Sequence, residues 1–287
     1  METKDYFQTK ELTDRITQIR MPGNVMTYLV KGNARAVLID TGCGLGAFRS
    51  FVEELLEGLP YEVVLTHGHV DHAGGASEFE RVFLHEKDFA LAAEHTSKEI
   101  RDLYLRSSSP EYLSETFTMD LVDPMIEGYL PLSYGQIFDL GGEELQIVNM
   151  GGHTQGSVGI LFPRERILLS GDACCSFTLL FARGTSLSIL AYRENLRRLM
   201  ETYGDSFDQV IYSHPHNYGG PEVIRQMIDL CGEILDGQDD RIESRSMEGD
   251  VAYLAKAVDG HGRRKDGKIA NLLYTEENLS FVDNRGK

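Results

Sequence analysis

Apolar and polar positions alternate along the chain in a way that predicts β-strands interleaved with helices. Short runs rich in β-branched and aromatic residues, bounded by glycine- and proline-containing turns, are typical of strands. These runs are ITQIRM, NVMTYLV, ARAVLI, YEVVLT, RVFLH, ELQIVNM, SVGILF, RILLSG and DQVIYS. The first three follow one another through PGN and KGN turns, so an antiparallel meander is expected to open the fold.

Helical periodicity marks several of the stretches between these strands. Phe48, Phe51 and Leu55 recur at helical spacing after the glycine-rich turn TGCGLG, with glutamates on the opposite face. Further helices are predicted around 190–203 and 221–235, the second of which opens on a proline, as helices prefer.

Residues 86–135 differ in sequence pattern from the rest of the chain, because they show helical propensity in place of strand patterns. We call this range the 86–135 segment. The pattern as a whole predicts an α/β fold of mixed sheets with helices outside. We expect a single domain over 1–287, with a helical insertion at about 86–135 and a C-terminal extension at about 241–287.

Composition narrows the class of protein. The chain has 287 residues, 41% of them hydrophobic, which is enough for one large core. A net charge of −17 disfavours nucleic acid as a partner. Four cysteines are too few for a disulfide framework, and no apolar run resembles a signal peptide or a membrane span. These features predict a cytoplasmic protein that does not contact a membrane.

The segment from Thr66 to His72 carries the strongest chemical signal. His67 and His69 are two positions apart, so in extended backbone their side chains project to the same side and can share one metal ion. Asp71 and His72 follow and can reach a second ion nearby. A lone histidine is usually an ordinary polar residue, but three imidazoles and a carboxylate packed together need a cation to organise them.

Other ligand-type residues stand just beyond the ends of separate strands. His67 follows YEVVLT, His153 follows LQIVNM, Asp172 follows RILLSG and His214 follows DQVIYS. Because sites in α/β sheets are built at the carboxyl ends of strands, these side chains are expected to converge.

Taken in order, these segments resemble the motifs of the metallo-β-lactamase superfamily. The resemblance rests on LIDTG with Asp40, the His-x-His-x-Asp-His run, GGHTQGS, SGDACC and YSHPH, over roughly residues 24 to 216. It implies an αββα four-layer sandwich of two mixed sheets flanked by helices.

The resemblance also implies a role for each site residue. His67, His69 and His153 would bind a first metal ion, Asp71, His72 and His214 a second, and Asp172 would bridge the two. Asp40 would orient the ligand loop without touching metal. Asp71 and Asp172 would also take part in catalysis.

Three departures from the family pattern bear on this assignment. Gln155 stands where proline is common and is expected only to loosen a turn. His216 offers a second histidine beside the last ligand, and we favour His214 because it directly follows the strand. Cys174 and Cys175 follow the bridging aspartate, and we favour a packing role over a soft ligand or a redox-sensitive thiol.

The chemistry implied is hydrolysis assisted by two divalent ions, zinc first, with iron or manganese as alternatives. A hydroxide bridging the ions would attack an ester-like bond of a small-molecule substrate. A thioester, as in glyoxalase II, is the first choice of substrate, and lactones and β-lactams stay open. The basic cluster Arg263, Arg264, Lys265 and Lys268 is interpreted as an exposed turn rather than a glutathione site.

Alternatives from other classes are a phosphodiesterase of the same fold, an iron-dependent enzyme similar to persulfide dioxygenases, and a non-catalytic metal-binding scaffold. Because Asp71, His72 and His214 are all present, the sequence weighs against the iron-dependent enzyme and the scaffold. The sequence leaves a homodimer open.

Substrate-binding residues are the least determined feature. Phe177, Phe181 and Tyr192 are pocket candidates because they follow Asp172 closely in sequence. The 86–135 segment would either fold over the site as a lid or form an additional helical layer. Its large side chains are Tyr104, Tyr112, Phe117, Met119, Met125 and Tyr129.

Overall fold

The fold is described by a computed structural model that covers residues 6–114, 120–181, 184–214, 218–245 and 249–279. Phe117, Met119 and His216 lie outside these ranges. Six helices are present in the described residues. They are α1 (Phe48–Leu56), α2 (Val70–Ala73), α3 (Phe89–His95), α4 (Lys98–Ser108), α5 (Ile189–Tyr203) and α6 (Glu222–Leu235).

The first sheet of the described chain has seven strands in sequence order. They are β1 (Gln8–Glu11), β2 (Ile16–Met21), β3 (Val25–Lys31), β4 (Ala36–Ile39), β5 (Tyr61–Val64), β6 (Val82–Leu84) and β7 (Leu130–Pro131). Strands β2 to β4 form the predicted antiparallel meander, to which β1 adds a further antiparallel strand that was not predicted. Strands β4 to β7 pair in parallel. The first sheet is therefore mixed, as expected.

The second sheet has six strands in the described residues, ordered β14-β13-β11-β10-β9-β8. They are β8 (Ile137–Asp139), β9 (Glu144–Asn149), β10 (Val158–Phe162), β11 (Ile167–Gly171), β13 (Gln209–Tyr212) and β14 (Tyr218–Gly219). Among the described strands of this sheet only β11 and β13 pair in parallel, so their carboxyl ends, which precede Asp172 and His214, lie side by side.

The two sheets face each other across a buried apolar layer. Tyr28 and Ile39 from the first sheet and Phe162, Leu169 and Ile211 from the second belong to one core cluster. Strands β4 and β10 are buried along their whole length, which explains why AVLI and VGILF are continuous apolar runs instead of alternating ones.

Helices cover the outer face of each sheet. Phe48, Val52 and Leu56 of α1 pack against the first sheet, while Leu196 of α5 and Met227 of α6 pack in the cluster behind the second. The order helix, sheet, sheet, helix is the predicted αββα sandwich, and the prediction of fold class is confirmed.

A third, smaller sheet was not predicted. It joins β12 (Phe177–Leu180) to three strands from the C-terminal part of the chain in the order β12-β17-β16-β15. These are β15 (Ile242–Arg245), β16 (Val251–Leu254) and β17 (Asn271–Tyr274), and β12 pairs with β17 in parallel. The C-terminal extension thus supports the strand that follows Asp172.

The 86–135 segment contributes α3 and α4 to the fold. Arg101 of α4 is fully buried and donates hydrogen bonds to the carbonyl oxygens of Gly74 and Val122 at 3.1 and 2.7 Å. Tyr104 and Tyr112 pack with buried Cys43, and Met125 and Tyr129 pack against the first-sheet cluster. No helix within the described ranges has both the length and the apolar character that crossing a bilayer requires.

The interpretation of the basic cluster as an exposed turn is wrong for one member. Arg263, Lys265 and Lys268 are exposed, but Arg264 is buried. Its guanidinium donates to the carbonyl oxygen of Ala270 and pairs with Asp266. The burial of Arg264 follows from these two partners, which the charge pattern of the sequence does not reveal.

We predict that Arg264→Ala lowers the free energy of unfolding by about 1–3 kcal/mol, because it leaves the buried Ala270 carbonyl without a donor. The exposed neighbour supplies a matched control, and Arg263→Ala is expected to stay within about 0.5 kcal/mol of the parent. Urea denaturation checks both values. Equal effects of the two substitutions would contradict the structural role of Arg264.

Candidate metal centre

The ligand loop after β5 is shaped by a buried carboxylate. Asp40 accepts hydrogen bonds from the Thr66 backbone N–H at 2.7 Å and from the Thr66 hydroxyl. Its own backbone is left-handed with φ of 64°, a conformation that aspartate tolerates better than most residues. These bonds fix the point at which the chain leaves β5 and turns toward His67.

Three histidines form the first group of donors. The Nε2 atom of His67 lies 3.1 Å from Nδ1 of His69, which lies 2.9 Å from Nε2 of His153. His67 and His153 are buried, and His69 is partly exposed. Two ring nitrogens this close repel each other if each points a lone pair at the other, so a proton or a cation must lie between them.

Two carboxylates and two histidines form the second group. The Nε2 atom of His214 lies 3.0 Å from an Asp172 oxygen and 3.3 Å from an Asp71 oxygen. The Nε2 atom of His72 lies 3.7 Å from Asp71 and 3.5 Å from Asp172. Within each group the donor atoms lie within 4.8 Å of one another.

The two groups are adjacent. Nε2 of His153, in the first group, lies 4.0 Å from Oδ2 of Asp172, in the second. All seven predicted ligands are therefore brought together, although they come from positions spread between 67 and 214. Asp172 is the carboxylate that faces both groups.

The second ring nitrogen of each of four histidines has its own polar neighbour. Nδ1 of His72 lies 2.8 Å from Asp40, and Nδ1 of His153 lies 2.7 Å from the Leu179 carbonyl oxygen. Nδ1 of His67 lies 3.0 Å from the Thr66 hydroxyl, and Nδ1 of His214 lies 3.3 Å from the Asn24 carbonyl. Such partners orient the rings and leave Nε2 facing the cluster, which is typical of metal-binding histidines.

Two buried atoms of the cluster have no hydrogen-bond partner among the residues that the structure describes. They are Nε2 of His72 and Oδ1 of Asp172. A buried polar atom left in this state costs about 1–3 kcal/mol, so native structures seldom tolerate it unless a ligand is bound. Imidazole nitrogens and carboxylate oxygens are the donors that zinc and related ions prefer, so the residues present fit a pair of divalent metal ions.

The electrostatics of the two groups differ. Burial, reinforced by the neighbouring histidines, lowers the pKa of His67 and of His69 well below its usual value, so these rings are neutral and able to coordinate. Burial opposes the charged form of His72, yet Asp71, Asp40 and Asp172 raise its pKa well above normal. The negative charge that draws a proton to His72 equally attracts a divalent cation.

The cysteines beside Asp172 are packed inside the protein. Cys174 and Cys175 are both buried, and the Cys175 thiol donates to the Phe177 carbonyl oxygen at 3.1 Å. Burial, together with the charge of Asp172, raises the pKa of Cys175 to about 11, so its thiol stays protonated at neutral pH. A protonated thiol is a poor metal ligand, in agreement with the packing role.

The pocket candidates have different surroundings. Tyr192 has no exposed surface, packs directly on Gly152 and donates its hydroxyl to the Ala173 carbonyl. Its assignment to a substrate pocket is therefore wrong, because the side chain lies behind the loops that carry His153 and Asp172. Phe177 is 46% exposed on β12 and Phe181 is partly buried, so both stay candidates.

Three contacts to the ligands or to their loops were not predicted from the sequence, although Tyr104 had been named as a side chain of the 86–135 segment. Asp88 accepts hydrogen bonds from the ligand loops, Tyr104 donates to Asp71, and His95 stacks on His69 with ring centroids 5.1 Å apart. Asp88 follows the end of β6, so the strand-end signal that identified the ligands would also have found it. Tyr104 and His95 lie within helices and carry no such signal.

Comparisons with known proteins agree with this architecture. The family model described as "Metallo-beta-lactamase superfamily" matches residues 20–184. The acyl-coenzyme A thioesterase MBLAC2 of Bos taurus is 30% identical over 250 residues, covering 78% of this chain and 87% of that protein. The hydroxyacylglutathione hydrolase GloC of Haemophilus influenzae is 29% identical over 141 residues, covering 48% of this chain and 60% of that protein.

Solved structures resemble this one in fold. A metallo-beta-lactamase from Pontibacter korlensis superposes with a TM-score of 0.56 at 19% identity, over 79% of this chain and 99% of that one. The sec-alkylsulfatase Pisa1 from Pseudomonas sp. superposes with a TM-score of 0.60 at 16% identity, over 80% of this chain and 42% of that one. Together with the family match and the αββα layers, these findings show that the chain belongs to the metallo-β-lactamase superfamily.

Proposed function

We propose that this protein is a hydrolase of small-molecule thioesters that works with two divalent metal ions, zinc first. One ion would be held by His67, His69 and His153, and the other by Asp71, His72 and His214, with Asp172 between them. The observation that carries the proposal is the contact of two complete donor groups at Asp172, 4.0 Å from His153 and 3.0 Å from His214.

Divalent ions bound in such a pair supply Lewis acidity and acidify a water molecule to a pKa near 7. The residues of the chain would place and orient the substrate and this water molecule. Asp71 is buried beside His72 and His214, so its carboxylate is positioned to accept a hydrogen bond from an attacking water. His69 and His214 are the more exposed members of the two groups and mark the side from which a substrate enters.

A thioester is favoured as the substrate by the relatives. The acyl-coenzyme A thioesterases and the hydroxyacylglutathione hydrolase act on thioesters by name, and the former align over most of this chain. A thiolate leaves without needing the proton that an amine requires, so a site built around an activated water is sufficient. The complete second donor group weighs against an enzyme that uses a single iron ion.

A substrate panel tests the proposal, with metal removed by chelation and then restored. We expect hydrolysis of acyl-coenzyme A or acyl-glutathione thioesters only with metal, and kcat/KM at least about tenfold above that of the matched oxygen ester, a 1.4 kcal/mol difference. A lactone, a β-lactam and a phosphodiester complete the panel. Preferred cleavage of any of these three, or full activity after chelation, would contradict the proposal.

The second test is Asp172→Asn, which keeps the shape of the side chain and removes its charge. We expect kcat for the best thioester to fall about 10²-fold or more, with less than two ions retained per chain, since the shared carboxylate would no longer bind both. Asp208→Asn, at an exposed carboxylate paired with Arg166, is the matched control. Normal kcat with two bound ions in Asp172→Asn would refute the role of Asp172.

A further inference from the structure

The 86–135 segment reaches both halves of the metal centre from one side of the fold. Two of its side chains, Asp88 and Tyr104, are hydrogen-bonded to the ligand loops or to a ligand itself. We propose that they are positioning residues, each for a different half: Asp88 for the His67, His69 and His153 group, and Tyr104 for Asp71 in the other. This rests on the metal binding in the proposed function, and not on the choice of substrate.

Asp88 joins two loops that are far apart in sequence. Its carboxylate is buried and accepts a hydrogen bond from the Gly68 N–H at 3.0 Å, between His67 and His69. It also accepts from the Thr154 hydroxyl at 2.6 Å and the Gly156 N–H at 2.7 Å, just after His153. One carboxylate therefore holds together the loops that supply all three donors of the first group.

Both loops pack closely against Asp88 at a glycine. A Cβ atom at Gly156 would lie 2.6 Å from the Asp88 carboxylate, and a Cβ at Gly68 would lie 2.9 Å from the Asp88 carbonyl oxygen. A side chain at either position would therefore require Asp88 or the loop to shift. At Gly156 the contact is with the same carboxylate oxygen that accepts its N–H, whereas at Gly68 it is with the Asp88 backbone.

Tyr104 plays the corresponding part for the second group. Its hydroxyl donates to Oδ2 of Asp71 at 2.7 Å from the partly buried side of α4. The same Asp71 oxygen lies 3.3 Å from His214. A donor fixed on one oxygen restricts rotation of the carboxylate and sets which lone pairs face the cluster. The helix that carries Tyr104 is anchored by buried Arg101 through bonds to Gly74 and Val122.

We expect that replacing either residue lowers the metal affinity of the donor group that it positions and leaves the other donor group unchanged. Groups that orient metal ligands typically contribute 10- to 100-fold to affinity. Replacing Asp88 by asparagine places a donor opposite buried N–H groups, and replacing Tyr104 by phenylalanine removes the hydrogen bond while keeping the ring. A merely structural role would instead lower stability and affect both halves alike.

The experiment measures zinc affinity by competition with a chromophoric chelator in two backgrounds. His153→Ala weakens the first group and reports on the second, whereas His214→Ala weakens the second and reports on the first. We expect Asp88→Asn to reduce affinity 10- to 100-fold in the His214→Ala background only. Tyr104→Phe is expected to do so in the His153→Ala background only. Visible spectra of the cobalt-substituted single variants should change in intensity or position.

Matched controls come from the same segment. Tyr112 packs in the same cluster as Tyr104, but its hydroxyl donates to the partly exposed Asp102 at 2.8 Å rather than to a predicted metal ligand. Tyr112→Phe and Asp102→Asn are expected to leave zinc affinity within about twofold and the cobalt spectrum unchanged. If Asp88→Asn does not fold, Thr154→Val removes one of the three bonds to Asp88 and is expected to weaken the first group in the same selective way.

Losses of zinc affinity confined to one background for each variant support the proposal. Wild-type protein with two ions, together with Asp88→Asn and Tyr104→Phe variants within twofold of it, would overturn this proposal and leave the proposed function standing. Equal losses in both backgrounds accompanied by a lowered Tm would also overturn it, because they indicate a general structural role. Wild-type protein without metal affinity would overturn the proposed function as well.

Discussion

Burying several imidazoles and carboxylates together is unfavourable in free energy, and the rest of the structure has to overcome this cost. Asp40, Asp71 and Asp172 are close enough to shift the pKa of the same ring, that of His72. Groups of like charge at these distances repel and lose hydration, and a bound cation offsets both penalties. We propose that such a cation binds at the buried atoms of His72 and Asp172 that have no hydrogen-bond partner among the described residues.

The strands and loops around the cluster hold these side chains at fixed positions relative to one another. The parallel pair β11 and β13 presents Asp172 beside His214, and the turn after β5, held by Asp40, presents His67 and His69. Contacts between the two sheets add a further constraint, since the Met26 N–H donates to the Ser213 carbonyl next to His214. Rigid strands and short loops are what precise ligand geometry demands.

Sequence reasoning succeeded where a residue type and a strand end coincide. The apolar runs located nine of the thirteen described strands of the two large sheets, and missed the short or exposed strands β1, β7, β8 and β14. The ligand types beyond the predicted strands identified the seven residues that the fold brings together. Sequence reasoning interpreted ANLLY as a possible strand but did not predict the third sheet, because the exposed strand Ile242–Arg245 has no apolar pattern and β12 pairs with a strand far along the chain. It also failed for Tyr192 and Arg264, whose burial depends on tertiary packing rather than on neighbours in sequence.

We propose that two metal ions occupy the paired donor groups. Anomalous diffraction from crystals of the zinc-loaded protein, recorded above and below the zinc absorption edge, tests it directly. We expect two peaks about 3.5–4 Å apart. One should lie about 2.0–2.2 Å from the nitrogens of His67, His69 and His153, and the other at similar distances from Asp71, His72 and His214. A single peak, or none within reach of these side chains, would contradict the account.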